Sequence, residues 1–142
     1  MSTTLPTATL AKPKFSWRWK NYLNSQYLEF DVLGNASDSQ ARSFYQQFYS
    51  EMSGDQFFML GNYGDRETNL TLDSMLTMIE QSKKIGIVKH RFYMVTTQQY
   101  YGSKIKLFDA ACRKMEFDGK MMSSPDIEAG RAWIKQEIRL SQ

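Results

Sequence analysis

Phe15, Trp17 and Trp19 alternate with Ser16, Arg18 and Lys20. A period of two marks a strand with one apolar face. Leu28, Phe30 and Val32 alternate with Glu29 and Asp31 in the same way. Turn-type residues from Asn21 to Gln26 join the two runs. Antiparallel pairing sets Arg18 and Lys20 beside Glu29 and Asp31, and opposite charges across a ladder contribute about 0.2 to 1 kcal/mol each. The pattern predicts a hairpin whose aromatic side chains turn to the core.

The period then changes. Ala41, Phe44, Tyr45, Phe48, Tyr49 and Met52 fall at spacings of three and four, one stripe of a helix. Ser37 with Gln40 makes a capping box at its start, and Gly54 suits the left-handed position after its end. Phe57 to Leu60 is a continuous apolar run, fit for a strand buried on both faces. Gly61 to Asn69 is polar and is expected as a loop. Thr71 can cap a second helix, with Asp73 in its first turn. Leu72, Met75, Leu76 and Ile79 form its buried stripe, and Gly86 can end it.

Phe92 to Val95 is the next strand. Gly102 and Ser103 open a third helix with Ile105, Phe108, Cys112 and Met115 on one side. Asp118-Gly119 signals a turn before a short strand around Lys120 to Ser123. Ser124 is the expected cap of a last helix, with Pro125 at its first position. Ile127, Ile134 and Ile138 line its inner face, and Trp133 lies at its edge. The order β-β-α-β-α-β-α-β-α predicts an α/β fold with an N-terminal hairpin and a mixed, largely parallel sheet. Phe44, Phe48, Phe57, Met59, Leu76, Ile79, Phe92, Met94 and Ile134 are expected in one core. Residues 1–14 read as a disordered tail and 15–142 as a single domain.

The chain has 142 residues, enough for one core without disulfide or metal. The net charge of +3 comes from basic residues spread along the chain, which argues against a nucleic-acid partner. Cys112 is the only cysteine, so an internal disulfide is excluded and a buried apolar role is expected. No apolar run reaches the roughly 20 residues of a membrane span. The start has no apolar signal-peptide core, so the cytoplasm is the expected compartment.

The residues supply no catalytic constellation, and no enzyme, cofactor or metal is expected. His90, the only histidine, stands between Lys89 and Arg91 and is expected at the surface. Gly61-Asn62-Tyr63-Gly64-Asp65 has neither the dinucleotide spacing nor the Lys-Ser/Thr of a phosphate loop. The loop does follow a strand, where open α/β sheets bind ligands. Tyr100 and Tyr101 follow the neighbouring strand, either as exposed anchors or folded over the sheet edge. Asp65, Arg66, Tyr100 and Tyr101 are the candidate partner-binding residues.

The element order resembles the STAS domain and its SpoIIAA-like relatives, small bacterial α/β domains. The resemblance spans about Phe15 to Ile138. It rests on the Phe57–Leu60 strand leading to the Asp73-Ser74 helix start, and on the Phe92–Val95 strand followed by the Ser103 helix. The third feature is the closing segment Asp126 to Ile134, similar to the acidic-Ala-x-x-Trp ending of SpoIIAA-like proteins. In regulatory members an Asp-Ser pair opens the second helix and its Ser is phosphorylated. The resemblance thus implies Ser74 as a phosphorylation candidate, supported by Thr71 and Asp73. Met75 departs from the small residue expected next, and Thr71 is the better cap. The implied function is a regulatory or protein-interaction module with an unidentified protein partner. The alternative is a carrier or sensor of a small apolar, lipid-like ligand, for which the aromatic and Met content would line a pocket. Homodimerisation stays open.

Overall fold

A computed structural model describes residues 14–52, 54–99 and 101–142. The strands are β1 (Phe15–Tyr22), β2 (Ser25–Val32), β3 (Gln56–Gly64), β4 (Lys89–Thr96) and β5 (Asp118–Ser124). The helices are α1 (Asp38–Gln46), α2 (Leu72–Lys84), α3 (Tyr101–Lys114) and α4 (Ile127–Leu140), and a 3₁₀ turn at Gln47–Ser50 extends α1. The five strands lie side by side in chain order. β1 is antiparallel to β2, and each later neighbour is parallel. The expected element order and mixed sheet are those observed. Of the tail expected at residues 1–14, residues 1–13 lie outside the described residues. Lys14 already belongs to the domain, because its carbonyl accepts a 2.7 Å hydrogen bond from the Leu33 N–H.

The hairpin register sets Arg18 opposite Glu29 and Trp17 opposite Phe30. The connection is tighter than the sequence suggests. Tyr22 pairs with Ser25, leaving Leu23 and Asn24 as a two-residue turn, with Leu23 at φ 54°. Ser37 and Gln40 form the expected capping box. Thr71 caps α2, and Gly86, at φ 95°, ends it. Its N–H reaches the Lys83 carbonyl and that of Ile87 reaches Ser82, so the last free carbonyls are satisfied.

Two boundaries differ from expectation, and so does the core. β3 continues through Gly61 to Gly64, because Asn62 and Gly64 still pair with Val95 and Thr96 of β4. The connecting loop therefore begins at Asp65. The cap of α4 is Asp126 rather than Ser124: the Asp126 carboxylate accepts from the Glu128 N–H at 2.9 Å. Pro125 consequently precedes the helix. The core also divides in two, since alternate residues of a strand face opposite sides. Phe30, Phe57, Met59, Phe92 and Met94 pack under α1, α2 and α3, with Phe44, Phe48 and Ile79. Tyr27, Phe58, Leu60, Tyr93 and Val95 pack under α4 with Ile134 and Ile138. Ile134 is thus on the opposite face from most of its expected partners.

Gly130 sets the seat of α4. A Cβ there would come within 2.8 Å of the Tyr93 ring and 2.9 Å of Leu60. Helix propensity alone favours Ala over Gly by about 1 kcal/mol. Overpacking costs roughly 1 to 3 kcal/mol, and an aromatic ring yields little. Gly130→Ala is therefore expected to lower the chemical-denaturation midpoint, by about 1 kcal/mol net.

Candidate interaction surface

The loops after β3 and β4 emerge at the same end of the sheet, as parallel strands require. Asp65 and Arg66 are exposed there. The two loops are stitched together by Thr97 N–H to the Gly64 carbonyl at 2.9 Å and Gln98 Nε2 to the Asp65 carbonyl at 3.1 Å. Tyr100 lies outside the described residues. Tyr101 is buried, which excludes it as an exposed anchor. Its hydroxyl accepts from the Thr68 N–H at 2.9 Å and donates to the Arg66 carbonyl at 3.1 Å. The residue holds the loop that carries Arg66 instead of meeting a partner.

Ser74 is also buried, so its hydroxyl is not offered to a kinase. That hydroxyl donates to Asp38 at 2.7 Å, and the other Asp38 oxygen accepts from the Thr71 N–H at 2.7 Å. Burial alone would raise the Asp38 pKa. The bonds from Thr71 and Ser74, with the charge of Arg42, outweigh it and hold the carboxyl below its ordinary value. A carboxylate from α1 thus occupies the N-terminal end of α2, and a phosphate on Ser74 would meet it as a like charge. The phosphorylation candidate does not survive this geometry. Thr71 and Asp73 keep their helix-start roles.

His90 is half-buried and packs against the aromatic core rather than standing free at the surface. Period two places it on the face of Phe92, and its ring lies 4.9 Å from Phe57 and about 6 Å from Phe92 and Phe108. Nδ1 is 3.1 Å from the Phe57 carbonyl. Burial, assisted by the neighbouring Arg91 charge, pushes the imidazole pKa down to about 4. Arg91 is buried, bound to Glu137 at 2.7 Å and Asp118 at 3.0 Å. Cys112 is buried as expected, and burial with the charges of Asp109 and Asp118 raises its thiol to about 12. Tyr45 and Tyr63 share a buried 2.7 Å hydrogen bond, and burial raises both phenols. Among the described residues no group of three or more His, Cys, Asp or Glu is arranged to hold a metal. The apolar crevice beside His90, between Met75 and Phe92, measures about 40 Å³.

The hairpin carries the features that local pattern could not complete. Glu29 is fully buried and meets Arg18 at 2.7 Å, Lys20 at 3.2 Å and Arg131 of α4 at 2.7 Å. Burial would raise its pKa, but the bonds from Arg131, Arg18 and Lys20 prevail and hold it at about 2. The first two partners follow from hairpin pairing. Arg131 is 102 residues away, and no local signal points to it. Lys135 and Arg139 continue the same side of α4 and lie over the Tyr22 ring. On the other face Trp17 remains 41% exposed while its ring meets Phe44 and Phe48 edge-on. An open groove of about 430 Å³ runs beside it between β1 and α1.

No protein-family model matches the chain, and no curated protein matches it significantly. Among solved structures it is similar to an uncharacterised protein of the DUF3478 family with a SpoIIAA-like fold, from Shewanella loihica PV-4. The two share 11% identity with a TM-score of 0.55, over 88% of this chain and 98% of the other. The chain therefore has a SpoIIAA-like fold. No helix among the described residues is long and apolar enough to cross a membrane.

Two pH windows follow. The His90 pKa is lowered on folding, from about 6.5 to about 4, so the unfolded chain binds the extra proton. Stability should fall as pH drops from about 6.5 to about 4, by a magnitude on the order of 2 kcal/mol. Urea midpoints of His90→Leu should lose most of this pH dependence between about 6.5 and 5, above the window of Glu29. The Glu29 pKa is also lowered, to about 2, so its contribution is full above about 4.5 and is lost as pH falls through 2. Glu29→Gln should cost about 2 kcal/mol at pH 7, since its cations keep access to water. The same variant should flatten the acid limb below pH 4.5.

Proposed function

We propose that this protein is a non-catalytic regulatory or protein-interaction module of the cytoplasm. One observation carries the reading: β1 ends the sheet, and among the described residues its outer backbone edge is open beside the exposed ring of Trp17. An eight-residue edge with an aromatic side chain and no bulge is a template for another chain. The groups most suited to chemistry serve the fold instead. His90 and Cys112 are held in ionisation states that favour neither acid–base work at pH 7 nor a thiolate. Asp65 and Arg66 form a second exposed feature, at the ends of β3 and β4.

The carrier alternative fits the geometry less well. The aromatic and Met side chains that would line an enclosed pocket fill the interior, where the crevice beside His90 measures about 40 Å³, and the larger grooves, such as that beside Trp17, open to the surface. A dry apolar cavity of about 150 Å³ is of a size that binds benzene. The test uses the whole chain as bait, followed by reconstitution with purified candidates and calorimetry. A saturable complex of defined stoichiometry is expected, with the Asp65→Lys, Arg66→Glu double variant still folded. Failure of every captured candidate to rebind as a purified protein would end the interaction reading. A co-purifying lipid-sized mass in native mass spectrometry would replace it with the carrier.

A further inference from the structure

The hydrogen-bonding phase of the hairpin fixes what β1 offers outward. The Leu33 N–H donates to the Lys14 carbonyl, which sets that pair on the hydrogen-bonded phase of the ladder. Antiparallel ladders alternate bonded and non-bonded pairs. The bonded pairs therefore recur at Ser16, Arg18, Lys20 and Tyr22, the last closing the two-residue turn with Ser25. Phe15, Trp17, Trp19 and Asn21 point their backbone N–H and C=O groups away from β2. Among the described residues no strand lies on that side.

The two faces of this edge differ in chemistry. The side chains of Phe15 and Trp17 border the groove toward α1, where the Phe15 ring stacks on Phe44 at 3.9 Å. The opposite face carries Arg18 and Lys20, with Arg131, Lys135 and Arg139 beyond them. Those five cations are set against three carboxylates, Glu29, Asp31 and Glu128. Glu29 is fully buried, so an excess of positive charge is what the solvent-facing surface presents.

A second copy of the chain is a poor occupant. Antiparallel pairing of β1 with itself, same faces together, sets Arg18 or Lys20 across from Arg18, Lys20 or Lys14 of the other copy in each central register. Like charges directly opposite are destabilising. The same two cations favour carboxylates at those positions. We infer that β1 is a docking edge for an extended peptide segment of a partner protein whose side chains alternate apolar and acidic, the apolar ones entering the groove and the acidic ones facing Arg18 and Lys20. This deepens the interaction-module reading and rests on it.

The probes are two capped octapeptides, one alternating valine with glutamate and the other valine with lysine. Amide hydrogen exchange of the full chain reads the site directly. Without probe, the amides of Phe15, Trp17, Trp19 and Asn21 should exchange fast while those of Arg18 and Lys20 are protected. The valine–glutamate peptide at millimolar concentration should slow the first four at least threefold, and the valine–lysine peptide should not. Asn21→Pro removes one outward donor at an exposed residue while sparing the inner ladder, and should weaken binding about tenfold. Its unchanged protection at Arg18 and Lys20 checks that it is folded. No slowing of the four amides, or equal slowing by both peptides, overturns the proposal. Protection of the Asp65–Arg66 loop by a reconstituted partner, with β1 still fast, also overturns it while leaving the interaction module standing. Self-association with slowed β1 amides in the absence of probe would assign the edge to a second copy and overturn it too.

Discussion

A carboxylate that water does not reach has to find its counter-charges within the protein, and Glu29 finds them in three directions. Arg18 and Lys20 come from the neighbouring strand and Arg131 from the last helix. Desolvating a charge costs several kcal/mol, which is recovered only when geometry and hydrogen bonding are nearly complete. The arrangement therefore tolerates few other placements of α4. Gly130 stands next to Arg131 and lets the helix backbone settle on Tyr93 and Leu60, so steric and electrostatic demands meet at adjacent residues. β1 and α4 are fixed together by this pair of constraints, and the strands β2 to β5 between them belong to the same sheet.

The parts of the fold legible in sequence are those decided by neighbours in the chain. The Arg18–Glu29 pairing, the Ser37–Gln40 capping box and the Thr71 cap all depend on period and short spacing, and all are present. What local pattern could not supply is which side chains meet across the core. The stripe containing Ile134 is a correct inner face, but that face covers the side of the sheet opposite Phe44 and Phe48. The alternation His90, Phe92, Met94 already places the histidine on the apolar face, and flanking charges alone suggested otherwise.

The candidate site divides along the same line. Asp65 and Arg66 are exposed because a polar loop at a strand end has nowhere to bury. Tyr101 is a candidate by residue type and Ser74 by the family resemblance, and neither signal says whether a hydroxyl faces water or a buried acceptor. The hydroxyl of Tyr101 replaces backbone partners that the loop after β3 lacks, and that of Ser74 satisfies a carboxylate donated by another helix. Asp38 carries no local mark of this role. It follows a capping serine and reads as an ordinary acidic first-turn residue, yet it ties the starts of two helices together.

Strand order gives the chain a particular history during synthesis. Each strand from β2 onward lies beside the one made just before it, and α1, α2 and α3 arrive in time to cover one side of the growing sheet. The other side has to wait. Tyr27, Phe58, Leu60, Tyr93 and Val95 have no helix to lie under until residues 127–140 have been made. Exposed apolar surface on a partly made domain is where nascent chains associate wrongly or meet chaperones. Premature termination ahead of α4 would release a product with a nearly whole sheet, one bare apolar face and a buried-type carboxylate at Glu29 short of its distant partner.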